Sequence, residues 1–159
     1  MSSKRNSKKF VYFFGNKKAD GSGSMKEVLG GKGAGLAEMT EIGINVPPGF
    51  TISTKACGMF YQNKRKTPKQ IIDEMKQNLS RLEKITGKNF GNTSNPLLVS
   101  VRSGAMFSMP GMMDTILNLG LNEDTVEGFA EQTNNPRFSW DSYLSLIHIS
   151  EPTRPRLIS

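Results

Sequence analysis

Four glycines fall within six residues, Gly30-Gly31-Lys32-Gly33-Ala34-Gly35. Each glycine inside a helix costs about 1 kcal/mol relative to alanine. Such a run therefore marks backbone that turns tightly, approaches another group closely, or aims successive N–H groups at an anion. Leu36, Met39 and Ile42 follow at helical spacing, which predicts a helix after the run, ending at Gly43. A glycine turn that opens a helix places an anion at the helix's positive end. Lys32 would add a full charge. The run is not a Walker A loop, because Lys26 stands at its first glycine position and Gly33 where Ser or Thr must follow the lysine. It is not GxGxxG, because Leu36 takes the last glycine position. A flexible turn with no ligand explains the residues equally well.

Apolar patterning on either side alternates between strand and helix. Phe10-Val-Tyr-Phe-Phe14 and Phe50-Thr-Ile-Ser53 are β-branched and aromatic, and predict strands. Thr54 is expected to cap a short helix reaching Asn63. Thr67, Pro68 and Gln70 form a capping-box pattern before Ile71, Met75, Leu79, Leu82 and Ile85, a helix stopped by Gly87. Leu97–Val101 predicts a buried strand, Ile116–Leu119 an extended segment, and Glu123–Gln132 a helix. Interleaved strands and helices imply an α+β or α/β layer architecture. Asp73, Glu74 and Glu83 are expected on a solvated helix face.

Charge and cysteine content narrow the function classes. Net charge is +7, but Lys4, Arg5, Lys8, Lys9, Lys17 and Lys18 lie in the first 18 residues. The remainder is close to balanced, so the basic character belongs mostly to the N-terminal end, whose first nine residues are expected to be a disordered leader. There is no nucleic-acid-binding signature and no apolar run near the roughly 20 residues a membrane span needs, so neither is expected as a partner. Phe10–Phe14 is too short for a secretion signal. A cytoplasmic location is expected. The one cysteine, Cys57, excludes an internal disulfide and is expected to be a buried thiol. Asp114 and Asp141 as single carboxylates are weak magnesium candidates, and no metal site is expected in this chain.

A second motif is Ser100-Val-Arg-Ser-Gly-Ala105, continued by Ser108-Met-Pro-Gly-Met-Met-Asp-Thr115. Arg102 stands where a strand passes into a loop, a position that presents charge to a cleft. Guanidinium suits bidentate phosphate contact. Ser103, Gly104, Ser108, Gly111 and Thr115 could line a loop closing on a nucleotide, as Gly31 and Gly33 could in the first motif. Four methionines, 106, 109, 112 and 113, could instead be packing filler, although their spacing is not helical.

Residues 144–159 have a different character. Back-translated, Leu144–Arg154 spells a transposase-type sequencing adaptor, and Ile158-Ser159 matches the adaptor sequence beyond its index. The segment is expected to be an assembly artefact, with His148, the single histidine, inside it. Residues 1–143 are then the natural segment, with 10–143 its folded part, expected to be the front of something longer.

Leu29–Met39, Val46-Pro-Pro-Gly-Phe-Thr51, Leu97–Ala105 and Ser108–Leu121 together resemble the N-terminus of the pyruvate, phosphate dikinase family, from about Phe10 to Tyr143. Phosphoenolpyruvate synthase is similar in the Gly-Gly-Lys and Arg-Ser elements and less so between 105 and 121. The resemblance implies an incomplete ATP-grasp-like nucleotide-binding domain. It matches Lys32 and Arg102 to the family's ATP-phosphate ligands. It implies a reaction in which ATP, pyruvate and phosphate give AMP, phosphoenolpyruvate and diphosphate through a phosphohistidine. The carrier histidine and the magnesium ligands are expected outside this chain, the intact enzyme is expected to be a homo-oligomer, and the fragment alone is expected to be inactive. Met106 departs from a basic residue common in relatives. A non-catalytic module with a basic leader is the alternative from another class.

Overall fold

The computed structural model describes residues 8–102 and 115–150, with side chains through Leu144. The described elements are β1 (Val11–Gly15), β2 (Lys18–Ala19), α1 (Lys26–Glu41), β3 (Gly49–Ile52), α2 (Thr54–Gln62), α3 (Lys69–Thr86), β4 (Val99–Arg102), β5 (Thr115–Leu119), α4 (Glu123–Thr133) and α5 (Pro136–Ser150). They form a mixed α/β arrangement with a three-stranded sheet, a two-stranded sheet and five helices. The chain divides near residue 85 into two compact units.

The first unit is built around β1, the middle strand of the order β2-β1-β3, antiparallel on both sides. A central strand is covered on both faces, which is why Phe10–Phe14 reads as an unbroken apolar run. On one face Tyr12 meets Leu29, Ala34 and Ala37 of α1. On the other, Val11 packs with Ile71 of α3 and Ala56 of α2. The Arg81 guanidinium lies 4.0 Å over the Phe13 ring. Ile71 and Leu82 are the buried positions of α3, in keeping with its apolar period.

Polar groups complete this unit. Glu74 accepts hydrogen bonds from the Phe10 and Val11 N–H groups, at 2.7 and 2.9 Å. It therefore ties the start of β1 to α3 and does not belong to a solvated face. The Asp20 carboxylate accepts from Phe13 N–H at 3.0 Å and pairs with Lys9 at 2.8 Å and Arg81 at 3.6 Å. Burial alone would raise the Asp20 carboxyl. The Lys9 and Phe13 hydrogen bonds and the charges of Lys9 and Arg81 outweigh that, and hold it below its ordinary value.

Several local expectations shift. Ser53, not Thr54, caps α2, accepting from Ala56 N–H at 3.4 Å. Thr54 instead donates to the Glu27 carbonyl at 2.7 Å. The first turn of α3 is accepted by the Pro68 carbonyl. The Gln70 side-chain N–H group donates to the Lys8 carbonyl at 2.9 Å and to Glu74 at 3.2 Å. Cys57 is exposed on α2, which corrects the expected burial, because α2 buries only Ala56.

In the second unit β4 pairs only with β5 among the described residues. Val99 is half-buried, whereas Ser100, Val101 and Arg102 are exposed, so the expected buried strand is one arm of an open ribbon. Helix α4 is closed by a capping box: Asn122 Oδ1 accepts from Thr125 N–H at 2.8 Å, and Thr125 Oγ1 accepts from Asn122 N–H at 2.7 Å. Asn135 Oδ1 accepts from Phe138 N–H at 3.1 Å and starts α5 with Pro136. Helix α5 crosses the boundary at residue 143 that the sequence pattern suggested.

Candidate functional site

The glycine run lies inside α1 and not in a loop before it, which corrects the expected helix start. The helix is nevertheless broken there. Gly30 has φ 72° and ψ 171°, a conformation essentially restricted to glycine. Helix resumes at Gly31 and Lys32 after the break, and the first N–H groups of a helix have no acceptor within it. Lys32 is exposed there. A broken helix whose second half opens with an exposed lysine can hold an anion by N–H groups, dipole and charge together. Gly33 serves packing: a Cβ there would stand 2.8 Å from Thr51 Cγ2 and 3.1 Å from Leu29 Cβ. Removing the side chain lets α1 lie against β3. A Cβ at Gly35 would meet nothing within 4 Å.

Arg102 ends β4, exposed, with Thr115 as its cross-strand partner at the start of β5. The chain therefore leaves the ribbon at Arg102 and re-enters it opposite the same residue. Ser103, Gly104, Ser108 and Gly111, with Asp114 and the four methionines, lie outside the described residues. Of the candidate phosphate ligands, the ribbon brings together Arg102 and Thr115. Lys32, Gly31 and Gly33 share α1 in the other unit.

Asp141 pairs with Arg137 at 3.9 Å along α5. Among the described residues no three His, Cys, Asp or Glu side chains cluster as metal ligands. Hollows flank α2, lined by Met59, Gln62, Asn63 and Pro68 and by Lys8, Phe10 and Lys55 among others. Neither is lined by Lys32. Of the leader cations, Lys9 is engaged by Asp20 and stands 5.4 Å from the Tyr12 ring. No helix among the described residues is long and apolar enough to cross a membrane. One informative residue escaped the sequence reading: Asn118, within β5, has φ 56°. Its only signal is an asparagine among Ile116, Leu117 and Leu119.

Residues 26–84, which include Lys32 but not Arg102, match the family model described as pyruvate phosphate dikinase, AMP/ATP-binding domain. The chain is 52% identical over 141 residues to the pyruvate, phosphate dikinase of Clostridium symbiosum, covering 89% of this chain and 16% of that protein. It is 52% identical over 142 residues to that of Rickettsia conorii, with the same coverage. It is 56% identical over 130 residues to that of Entamoeba histolytica, covering 82% of this chain and 15% of that protein. The chain thus spans about one sixth of the length of these relatives. Residues 26–84 thus match an AMP/ATP-binding domain model, and about half of the aligned residues over most of the chain are identical to those of these pyruvate, phosphate dikinases.

Proposed function

We propose that this chain contributes the phosphate-holding part of an ATP site in a pyruvate, phosphate dikinase, within an ATP-grasp-like domain. The observation that carries the reading is the break at Gly30, which starts a helical turn at exposed Lys32 inside the segment matched to an AMP/ATP-binding domain. Lys32 and Arg102 are the proposed phosphate ligands. Gly31 supplies backbone N–H, Gly33 keeps α1 close to β3, and Thr115 stands beside Arg102. Ser103, Gly104, Ser108 and Gly111 are proposed to line the segment between Arg102 and Thr115.

Phosphoryl transfer depends chiefly on positioning and charge stabilisation. A cation on a phosphate, Lys32 in the first unit or Arg102 in the second, would neutralise charge that grows as a phosphoryl group leaves. In the whole enzyme the reaction proposed is ATP, pyruvate and phosphate to AMP, phosphoenolpyruvate and diphosphate, with the phosphoryl carried on a histidine outside this chain. The relatives' names favour the dikinase over phosphoenolpyruvate synthase. Magnesium would screen the nucleotide's charge. Among the described residues no cluster of three His, Cys, Asp or Glu side chains is fitted to it. A cytoplasmic, homo-oligomeric enzyme is proposed. An exposed free thiol at Cys57 suits a reducing compartment.

The test is an amide NMR titration of the 159-residue chain with magnesium ATP. Shifts are expected at Gly31–Gly35 and Arg102. Lys32→Ala and Arg102→Ala should each weaken binding about tenfold, the worth of one charge-assisted hydrogen bond. Shifts confined to α2, or unchanged affinity in both variants, would overturn the reading.

A further inference from the structure

The two strands of the ribbon are not evenly paired. Val99 faces Leu119, Val101 faces Ile116, and Arg102 faces Thr115. Between the first two pairs β4 advances by two residues and β5 by three. Directly opposed residues share a face, and regular strands alternate. Val99 and Val101 therefore require Ile116 and Leu119 on one face, which unbroken alternation forbids. The extra residue of β5 is accommodated where Asn118 takes φ 56°. This is a β-bulge with its left-handed residue supplied by asparagine, the side chain that tolerates that conformation best after glycine. Near the anchored end Val99, Ile116 and Leu119 are half-buried and Ser100 and Leu117 exposed, whereas at the open end both Val101 and Arg102 are exposed.

One end of the ribbon is anchored. A Cβ on Gly120 would stand 2.5 Å from the Leu97 carbonyl oxygen. The Gly120 carbonyl accepts from Thr125 Oγ1 at 3.0 Å, and Leu121 is buried. The pair Val99–Leu119 is thus held by its neighbours. If Asn118 left the left-handed region, regular pairing from that anchor would set Val101 opposite Leu117 and Arg102 opposite Ile116. A shift by one residue reverses every face beyond it.

We propose that Asn118 is a positioning residue for the nucleotide site, its left-handed backbone setting the register that puts Arg102 beside Thr115. The inference rests on Arg102 being a phosphate ligand, but its structural half can be tested separately.

Three variants of the 159-residue chain decide it, read by cross-strand NOEs and by magnesium ATP affinity. Asn118→Val disfavours the left-handed region. It should replace the Arg102–Thr115 NOE by one between Arg102 and Ile116, and weaken ATP about tenfold, to the level of Arg102→Ala. Asn118→Gly keeps the conformation available and should retain both the NOE and the affinity. Asn118→Ala, with a milder penalty, stands in for the valine variant if that one does not fold. Loss of the native NOE in a folded Asn118→Gly protein would overturn the proposal. So would an intact Arg102–Thr115 NOE in Asn118→Val and Asn118→Ala, or a slipped register with undiminished affinity. If Arg102→Ala itself leaves ATP affinity unchanged while the register slips as described, the phosphate reading of Arg102 has failed, and the nucleotide role of Asn118 fails with it.

Discussion

Lys32 and Arg102 stand on two differently built pieces of protein. Lys32 belongs to a helix laid against a three-stranded sheet, where Phe10, Val11 and Phe13 are each 1% exposed. Arg102 belongs to a two-stranded ribbon in which Val101 is 46% and Leu117 40% exposed. In the first piece, packing holds the backbone that carries the cation. In the second, a bulge and an anchored turn set the register, and few side chains enforce it. An isolated two-stranded ribbon is marginal without further cover. A packed helix tolerates most surface substitutions near its cation, whereas a ribbon can lose its cation's position through one backbone angle.

Weakening the packed piece at its centre should have the greatest effect on stability. Phe13 is buried in the central strand, faces Phe50 across the sheet and lies beneath Arg81. Phe13→Ala should cost about 3–5 kcal/mol, from lost burial and the cavity left behind. Val126, fully buried in α4 of the other unit, offers the matching truncation. Val126→Ala should cost only about 2 kcal/mol. Urea unfolding with amide exchange resolved by residue measures both. Equal costs would mean that the two pieces do not differ in how much their packing contributes.

How far the sequence foretold this difference depended on which interactions are local. Strands β1 and β3 and helix α3 were legible because apolar periodicity is written in consecutive residues. Strand β2 was not, because it is two residues long and polar, at Lys18–Ala19. It is formed by a tight turn with Asn16 at φ 51° and Lys17 at φ 60°, and a lysine rarely signals such a turn. Helix α5 had a usable start signal, Asn135-Pro136, that apolar period alone does not register. Residues 103–114, expected from their Gly, Pro and Ser content to form a loop, lie outside the described residues. The bulge in β5 was not legible, since a left-handed asparagine in a strand reflects tertiary pairing. The break at Gly30 was half-legible. Glycine content announces freedom, but not that helix continues on both sides.

Glu74 tests whether polar ties matter as much as apolar packing in the first piece. Its carboxylate receives two backbone N–H groups at the entry to β1. Glu74→Ala leaves both without that acceptor and should cost about 1–3 kcal/mol. Glu74→Gln retains an acceptor oxygen and should recover most of that loss. Thermal unfolding of the pair separates the hydrogen bonds from the side chain's packing. Equal loss in both variants would show that the charge, not the acceptor geometry, is what β1 uses.

The smallest expected effect concerns acid. Asp20 joins Lys9, Arg81 and the Phe13 N–H, and its carboxyl is held below its ordinary value. A group with a depressed folded-state pKa favours folding when ionised. Its contribution is full above the unfolded carboxylate value of about 3.9 and disappears as pH falls through the lowered value. Because the pairs are partly exposed, that contribution should amount to about 1 kcal/mol or less, and salt should reduce it. Stability from pH 6 down to pH 2 should therefore fall less steeply in Asp20→Asn than in the parent chain. The difference should open below about pH 4 and narrow in high salt. No comparable ion-paired carboxylate anchors β4 or β5 among the described residues. Amide exchange should accordingly show the Asp20-dependent part of acid loosening at β1 and α3, with the amides of the ribbon unmoved by the substitution. Acid loosening of the ribbon that also depended on Asp20 would remove the distinction between a piece held by side chains and a piece held by backbone register.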